Sequence, residues 1–183
     1  MKPMPNHSEI FFDLETQHLA EEVGGWGNKH RMRLACAVTL DGTTQEFQDY
    51  LEAEVERLLA TLQGAGRVIG FNLKHFDYAV LQPYTNAKLA RLPTLDLLEE
   101  IQRTLGFRLS LDTLASATLN AEKLGDGVQA VRWYKAGEMA KLLDYCRKDV
   151  ALTQQLYLFG KQHGHLFYWD RNGRKQKAVV SWF

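Results

Sequence analysis

The stretch Ile10-Phe11-Phe12-Asp13-Leu14-Glu15-Thr16 is an apolar strand pattern that ends in two acidic residues at alternate positions. Side chains at i and i+2 of an extended chain point to the same face. Both carboxylates therefore sit side by side where the strand leaves the core, and like charges that close disfavour joint ionisation. Two situations relieve them. The strand end can reach water, or a cation can lie between the carboxylates with further carboxylates around it. With 22 acidic residues in 183, such pairs also arise by chance, so this one needs partners before it carries chemistry.

The rest of the chain reads as a single α/β unit. Strands are expected at residues 10–14, 33–40 and 44–50, the last two joined by a hairpin turn at Asp41-Gly42-Thr43. Residues 17–31 are polar, contain Gly24, Gly25 and Gly27, and read as a long loop. Apolar residues Val55, Leu58, Leu59 and Leu62 have helical spacing over residues 52–62. A short strand at 67–71 and a helix at 76–84, closed near Pro83, follow. Residues 94–98 suit a strand or the start of a helix. Helices are expected near 98–105 and 111–119, the second capped by Ser110. Residues 123–134 read as irregular, 138–162 as a long amphipathic helix, and 166–180 as a β-hairpin turning at residues 170–174. A three-strand meander followed by strands alternating with helices implies a mixed sheet flanked by helices. The length suits one domain over 1–183, with a core of about 8–163 and a terminal hairpin at about 166–183.

Formal net charge is zero, so nucleic acid cannot be drawn by a global basic excess and must use local patches. Cys36 and Cys146 fit no metal spacing and read as reduced thiols, in keeping with a cytoplasmic protein. The first residues show no apolar leader segment, and no run approaches a membrane span.

Further carboxylates do occur at telling places. Asn72 lies just past the expected strand at 67–71, and Phe76 and Asp77 open the next helix. Asp near a helix N-terminus is also plain helix chemistry. Downstream, Tyr145 and Asp149 stand at i and i+4 of the long helix, on one face and one turn apart. A solvated face with a packed tyrosine accounts for that pair taken alone. All three features in this order are much less expected by accident.

In order and spacing they resemble the DEDD superfamily of 3′–5′ exonucleases, which share the ribonuclease H-like fold. Asp13, Glu15 and Thr16 match the first motif. Asp77, with Asn72 and Phe76 ahead of it, matches the second, and Tyr145 with Asp149 matches the third in its tyrosine form. Asp144 stands where the histidine form needs histidine. The resemblance runs from about Ile10 to Tyr157 and looks closest to the proofreading domain of family B DNA polymerases and to related stand-alone bacterial proteins. It implies a ribonuclease H-like five-stranded mixed sheet and a two-metal site for Mg²⁺ or Mn²⁺. Asp13 would bridge both cations, Glu15 and Asp149 would complete one site, and Asp77 would hold the other. Tyr145 would orient the attacking water. The substrate implied is the 3′ end of a single strand, against Leu14, Thr16, Asn72 and Phe76, released as nucleoside 5′-monophosphates. Any helicase or polymerase activity would belong to a partner chain. A ribonuclease H-like endonuclease and a non-catalytic nucleic-acid-binding module are the competing readings.

Other residues carry weaker signals. His75 beside Asp77 suits a loop histidine better than a phosphate ligand, and His163 and His165 suit a helix C-terminus. Trp26 and Asn28 lie in the glycine-rich loop near the expected site. Tyr168, Trp169, Arg171, Arg174, Lys175 and Lys177 combine aromatic and basic character in the terminal hairpin, which suits base stacking or an ordinary solvated hairpin equally.

Overall fold

The structure, a computed structural model, describes residues 8–121 and 125–182. Its centre is β1 (Glu9–Thr16) in a five-stranded sheet with β2 (Leu34–Asp41), β3 (Phe47–Leu51), β4 (Arg67–Gly70) and β5 (Thr94–Asp96). The order is β3-β2-β1-β4-β5, with β1–β2 and β2–β3 antiparallel and β1–β4 and β4–β5 parallel. The helices are α1 (Val55–Gly64), α2 (Asp77–Leu81), α3 (Leu97–Leu105), α4 (Leu111–Leu119), α5 (Gly127–Lys135) and α6 (Met139–His163). A separate two-stranded hairpin, β6 (His165–Trp169) and β7 (Lys175–Val179), follows.

β1 is apolar on both faces because both are covered. Phe12 and Leu14 join Leu58, Leu62 and Val80 on the side of α1 and α2. Phe11 joins Ile101, Leu114, Cys146 and Val150 on the side of α3, α4 and α6. Strand alternation places Asp13 and Glu15 on the Phe11 face, toward α6. The parallel pairing of β1 with β4 covers only Glu9, Ile10 and Phe11. β1 runs on past the end of β4, and a crevice opens there, at the carboxyl ends of parallel strands, where open α/β sheets bind ligands.

Two polar devices hold the turn from β4 to α2. Asp96 is buried, and its carboxylate accepts from the backbone amides of Asn72 (2.8 Å), Lys74 (3.1 Å) and Leu98 (3.1 Å). One side chain thus caps α3 and pins the loop ahead of Asp77. Gly70 makes the turn sterically possible, because a Cβ there would come within 2.5 Å of Leu73. α6 is tied at both ends: Arg147 forks onto Asp49 at 2.9 and 2.5 Å, and the Tyr157 hydroxyl donates to Glu9 at 2.6 Å.

Several boundaries differ from the expectation. α5 (Gly127–Lys135) covers residues 127–134 of the stretch expected to be irregular; Asp126 accepts from the Gln129 amide and caps it. Only Ala130 and Val131 of this helix are buried, so its apolar stripe is too narrow to read as helical. The start of that irregular stretch, Lys123 and Leu124, lies outside the described residues, as does Phe183 of the hairpin segment. The loop at 17–31 holds two short 3-10 turns, Glu21–Val23 and Trp26–Arg31. β2 starts at Leu34 because Arg33 has a left-handed backbone (φ 58°). β3 starts at Phe47 because the Asp41 carboxylate folds Thr43 and Thr44 into the turn. Residues 94–98 hold both alternatives, a strand and then a helix start.

The chain end docks on α6 through Trp182, whose indole N–H donates to the Tyr157 carbonyl at 3.2 Å. Gly160 permits that contact, since a Cβ would lie 2.2 Å from the buried indole ring. Gly160→Ala should gain about 1 kcal/mol of helix propensity and lose about 3 kcal/mol to overpacking. Thermal unfolding should therefore show a net loss of about 2 kcal/mol. A neutral or stabilised variant would mean that Trp182 docks elsewhere.

Candidate active site

The end of β1 and one turn of α6 build the site. Asp13, Glu15 and Asp149 bring carboxylate oxygens within 4.8 Å of one another. Glu15 is only 9% exposed. Among the described residues no lysine or arginine pairs with any of the three. Tyr145, one turn before Asp149 on α6, lies close enough to Asp149, Glu15 and Asp13 for their charges to act on its hydroxyl. The Tyr145 ring packs edge-on against Trp133 of α5, centroids 5.8 Å apart.

Asp77 stands outside the tight group of three but lines the same cavity. It is 1% exposed, and its Oδ1 has no hydrogen-bond partner. Such orphaned buried oxygens are rare, and each needs an explanation. Burial is the largest cause raising its pKa, with the charge of Asp96 adding to it and backbone amides opposing it.

The electrostatics are those of a cluster without a counter-charge. Burial, then Asp77, Glu15 and Asp149, push the Asp13 carboxyl well above the usual range. Burial also raises Glu15, with Cys36, Asp149 and Asp77 contributing. Asp149 is pushed up to about 7, chiefly by burial, while the Tyr145 hydroxyl opposes the shift. Tyr145 is itself raised, by burial and then by Asp149, and stays protonated. Four carboxyl groups here cannot all ionise near neutral pH without a cation. An all-oxygen donor set with an unpartnered Asp77 oxygen suits a hard divalent cation.

Two cavities meet at the carboxylates and share Asp13, Phe71 and Asp149. The first, about 420 Å³, has an apolar wall that includes Leu14, Trp26, Phe76, Val128 and Val131. Trp26 is 67% exposed and tilts over Phe76, ring centroids 6.3 Å apart. The second, about 460 Å³, is mixed in character, with Asn72, Arg108 and Ser110 beside Leu98, Leu109 and Leu111.

Of the residues expected from sequence, Asp13, Glu15, Asp77, Leu14, Thr16 and Phe76 line the first cavity, and Asn72 lines the second. Tyr145 lines neither of these cavities but lies within reach of the charges of Asp149, Glu15 and Asp13. The Thr16 hydroxyl is engaged with the His18 carbonyl at 3.0 Å. The Asn72 amide oxygen accepts from Arg108 at 2.9 Å, and its backbone is left-handed (φ 70°), a conformation asparagine tolerates. Asn28 braces its own loop by donating to the Gly24 carbonyl at 3.1 Å. His163, the last residue of α6, and His165, the first of β6, pack with Phe159 of α6.

Sequence reasoning missed three residues here. Arg108 comes from the α3–α4 connection, and nothing in its neighbourhood marks it as close to Asp13. Val128 belongs to the helix read as irregular. Cys146, buried under the site, donates to the Asp13 carbonyl at 3.5 Å and to its carboxylate at 3.6 Å. Its position next to Tyr145 was the available signal. Both cysteines are free and buried, as expected.

A family model described as the RNase_H superfamily matches residues 10–159, most of the chain and all of the carboxylate positions. No curated protein matches the chain.

The raised carboxyl groups set the sign of a pH dependence. A native pKa above the unfolded value means that the native state holds protons the unfolded state has released, so stability falls as pH rises between the two values. For Asp149 that interval runs from 3.8 to about 7. Metal-free protein should therefore lose stability across it, and Mn²⁺ should restore it. Asp13→Asn removes one repulsive charge, so its metal-free midpoint at pH 8 should rise, by about 2–4 °C for each kcal/mol relieved. Mn²⁺ should no longer stabilise that variant. Equal stabilisation of both proteins by Mn²⁺ would exclude a cation site at Asp13.

Proposed function

The chain belongs to the ribonuclease H superfamily, and we propose that within it the protein is a metal-dependent 3′–5′ exonuclease acting on the end of a single strand. The observation that carries this reading is the meeting of Asp13, Glu15 and Asp149 within 4.8 Å, with Tyr145 one helical turn from Asp149 and within reach of their charges. Members of the superfamily are typically nucleases that use divalent metal ions. When bound, Mg²⁺ or Mn²⁺, two in this reading, would supply electrophilic activation of the phosphodiester and of water. Asp13, Glu15 and Asp149 would hold one cation, and Asp13 with Asp77 the other.

The chain's own groups account for the remaining requirements. Tyr145 keeps its proton, so it serves as a hydrogen-bond donor and not as a base. One helical turn from Asp149, it can orient a water for in-line attack. The wall of Trp26, Phe76 and Leu14 suits the terminal base and sugar and keeps bulk water away. Buried Glu15 and the backbone around Leu14 and Thr16 suit a neutral 3′-hydroxyl. Arg108, fixed by Asn72 across the carboxylates, suits the next phosphate along the strand. Cys146 donates toward Asp13 from below and steadies its carboxylate.

A 5′-labelled single strand and its circular counterpart test the reading, each incubated with Mg²⁺ or Mn²⁺. The linear strand should shorten stepwise from its 3′ end to mononucleotide 5′-monophosphates, with the circle untouched. Rapid nicking of the circle would instead favour an endonuclease, and no cleavage of either would favour a non-catalytic binding module. Tyr145→Phe should lower kcat about a hundredfold, the effect of losing one oriented transition-state hydrogen bond worth about 3 kcal/mol, with little change in KM. A change in KM alone would make Tyr145 a binding or packing residue.

A further inference from the structure

We propose that the outer face of the β6–β7 hairpin is a second binding surface for single-stranded nucleic acid, separate from the carboxylate groove. Cross-strand pairing sets Phe167 opposite Lys177 and Trp169 opposite Lys175. Alternation along β6 sends Leu166 inward, where it is fully buried, and Tyr168 against Phe107. The outward face is therefore a ladder of rings and ammonium groups. Lys175 Nζ lies 4.5 Å from the Phe167 ring centroid and 5.7 Å from that of Trp169, and Lys177 Nζ lies 5.8 Å from Phe167. The row of rings continues through His165, 4.9 Å from Phe167, to Phe159 on α6.

Charge points to the occupant. The whole chain is neutral, yet residues 165–182 carry Arg171, Arg174, Lys175 and Lys177 against Asp170 alone. The Asp170 carboxylate is taken up by the turn, accepting from the amides of Asn172 and Arg174 and from the Gln176 side chain. Among the described residues none of the four basic groups is paired with a carboxylate. A local excess of three positive charges therefore faces solvent beside the exposed ring of Trp169 and the half-buried ring of Phe167. Protein–protein interface cores are depleted in lysine. Rings at every second residue of a strand, about 6.8 Å apart, with cations between them match a chain of bases and phosphates instead. A lysine over an exposed ring is held weakly, so a base can take the ring while the ammonium turns to the adjacent phosphate.

This surface stands without the catalytic reading, and the test separates the two. Fluorescence anisotropy of labelled 12-mer oligo(dT) and oligo(U) is measured with the full chain in EDTA. Trp169→Ala should weaken binding about tenfold or more. Lys175→Ala with Lys177→Ala should also make the slope of log K against log salt shallower by about 1.4, from two lost phosphate contacts on a single strand. These side chains are exposed, so the thermal midpoint should be retained and is checked alongside. Wild-type-like affinity and salt slope in both variants overturn the proposal, as does wild-type protein that binds neither oligomer. A change of oligomeric state in the variants with unchanged anisotropy overturns it as well, in favour of a protein contact. Hydrolysis of the p-nitrophenyl ester of thymidine 5′-monophosphate with Mn²⁺ should be the same in wild type and both variants. Its absence in wild type would count against the exonuclease reading and leave this surface intact.

Discussion

Mutual repulsion among Asp13, Glu15, Asp77 and Asp149 is the constraint on which the rest of the molecule depends. Four carboxyl groups gathered where burial raises their pKa values oppose folding whenever they ionise. The surrounding fold must be stable enough to hold them in place. It does so by seating Asp13 and Glu15 at the end of the central strand, whose apolar residues are covered on both faces, and Asp149 on the longest helix. The same repulsion makes the site receptive to cations. Oxygen donors that cannot share a charge-dense space with one another can share it with a hard cation.

Holding such a group rigid takes connections that do not themselves touch it. Asp96 joins the start of α3 to the loop that delivers Asp77, so a caps-and-loops interaction fixes the depth at which the fourth carboxylate enters the crevice. Arg147 on Asp49 and Tyr157 on Glu9 clamp α6 to β3 and β1, which fixes Asp149 and Tyr145 relative to Asp13. Trp182 over Gly160 seals the far end of the same helix. Beside this frame the groove is apolar around Trp26 and Phe76, while around Arg108 polar and apolar side chains alternate.

Much of this was legible in the chain itself. The acidic pair at the end of an apolar strand, the aspartate opening a helix, and the tyrosine one turn before an aspartate each rest on local periodicity. Local periodicity survives folding because side-chain direction follows from the repeat of the strand or helix. The mixed sheet and the terminal hairpin were readable for the same reason, whereas the count of five strands came from the resemblance to the ribonuclease H-like fold. What local pattern could not show was α5, whose buried stripe is two residues wide, and the turn that moves the start of β3 to Phe47.

The sequence by itself determined which residues carry charge, which segments are apolar on both faces, and hence a mixed sheet with acidic residues at its carboxyl edge. Only the tertiary structure decided that Asp13, Glu15 and Asp149 meet within 4.8 Å while Asp77 stands apart with an unpartnered oxygen. It alone decided that Arg108 is held by Asn72 across the groove and that Cys146 reaches Asp13 from below. The physical reason is sequence separation: these contacts join residues 36 and 133 positions apart, and no local repeat encodes the packing angle that brings them together.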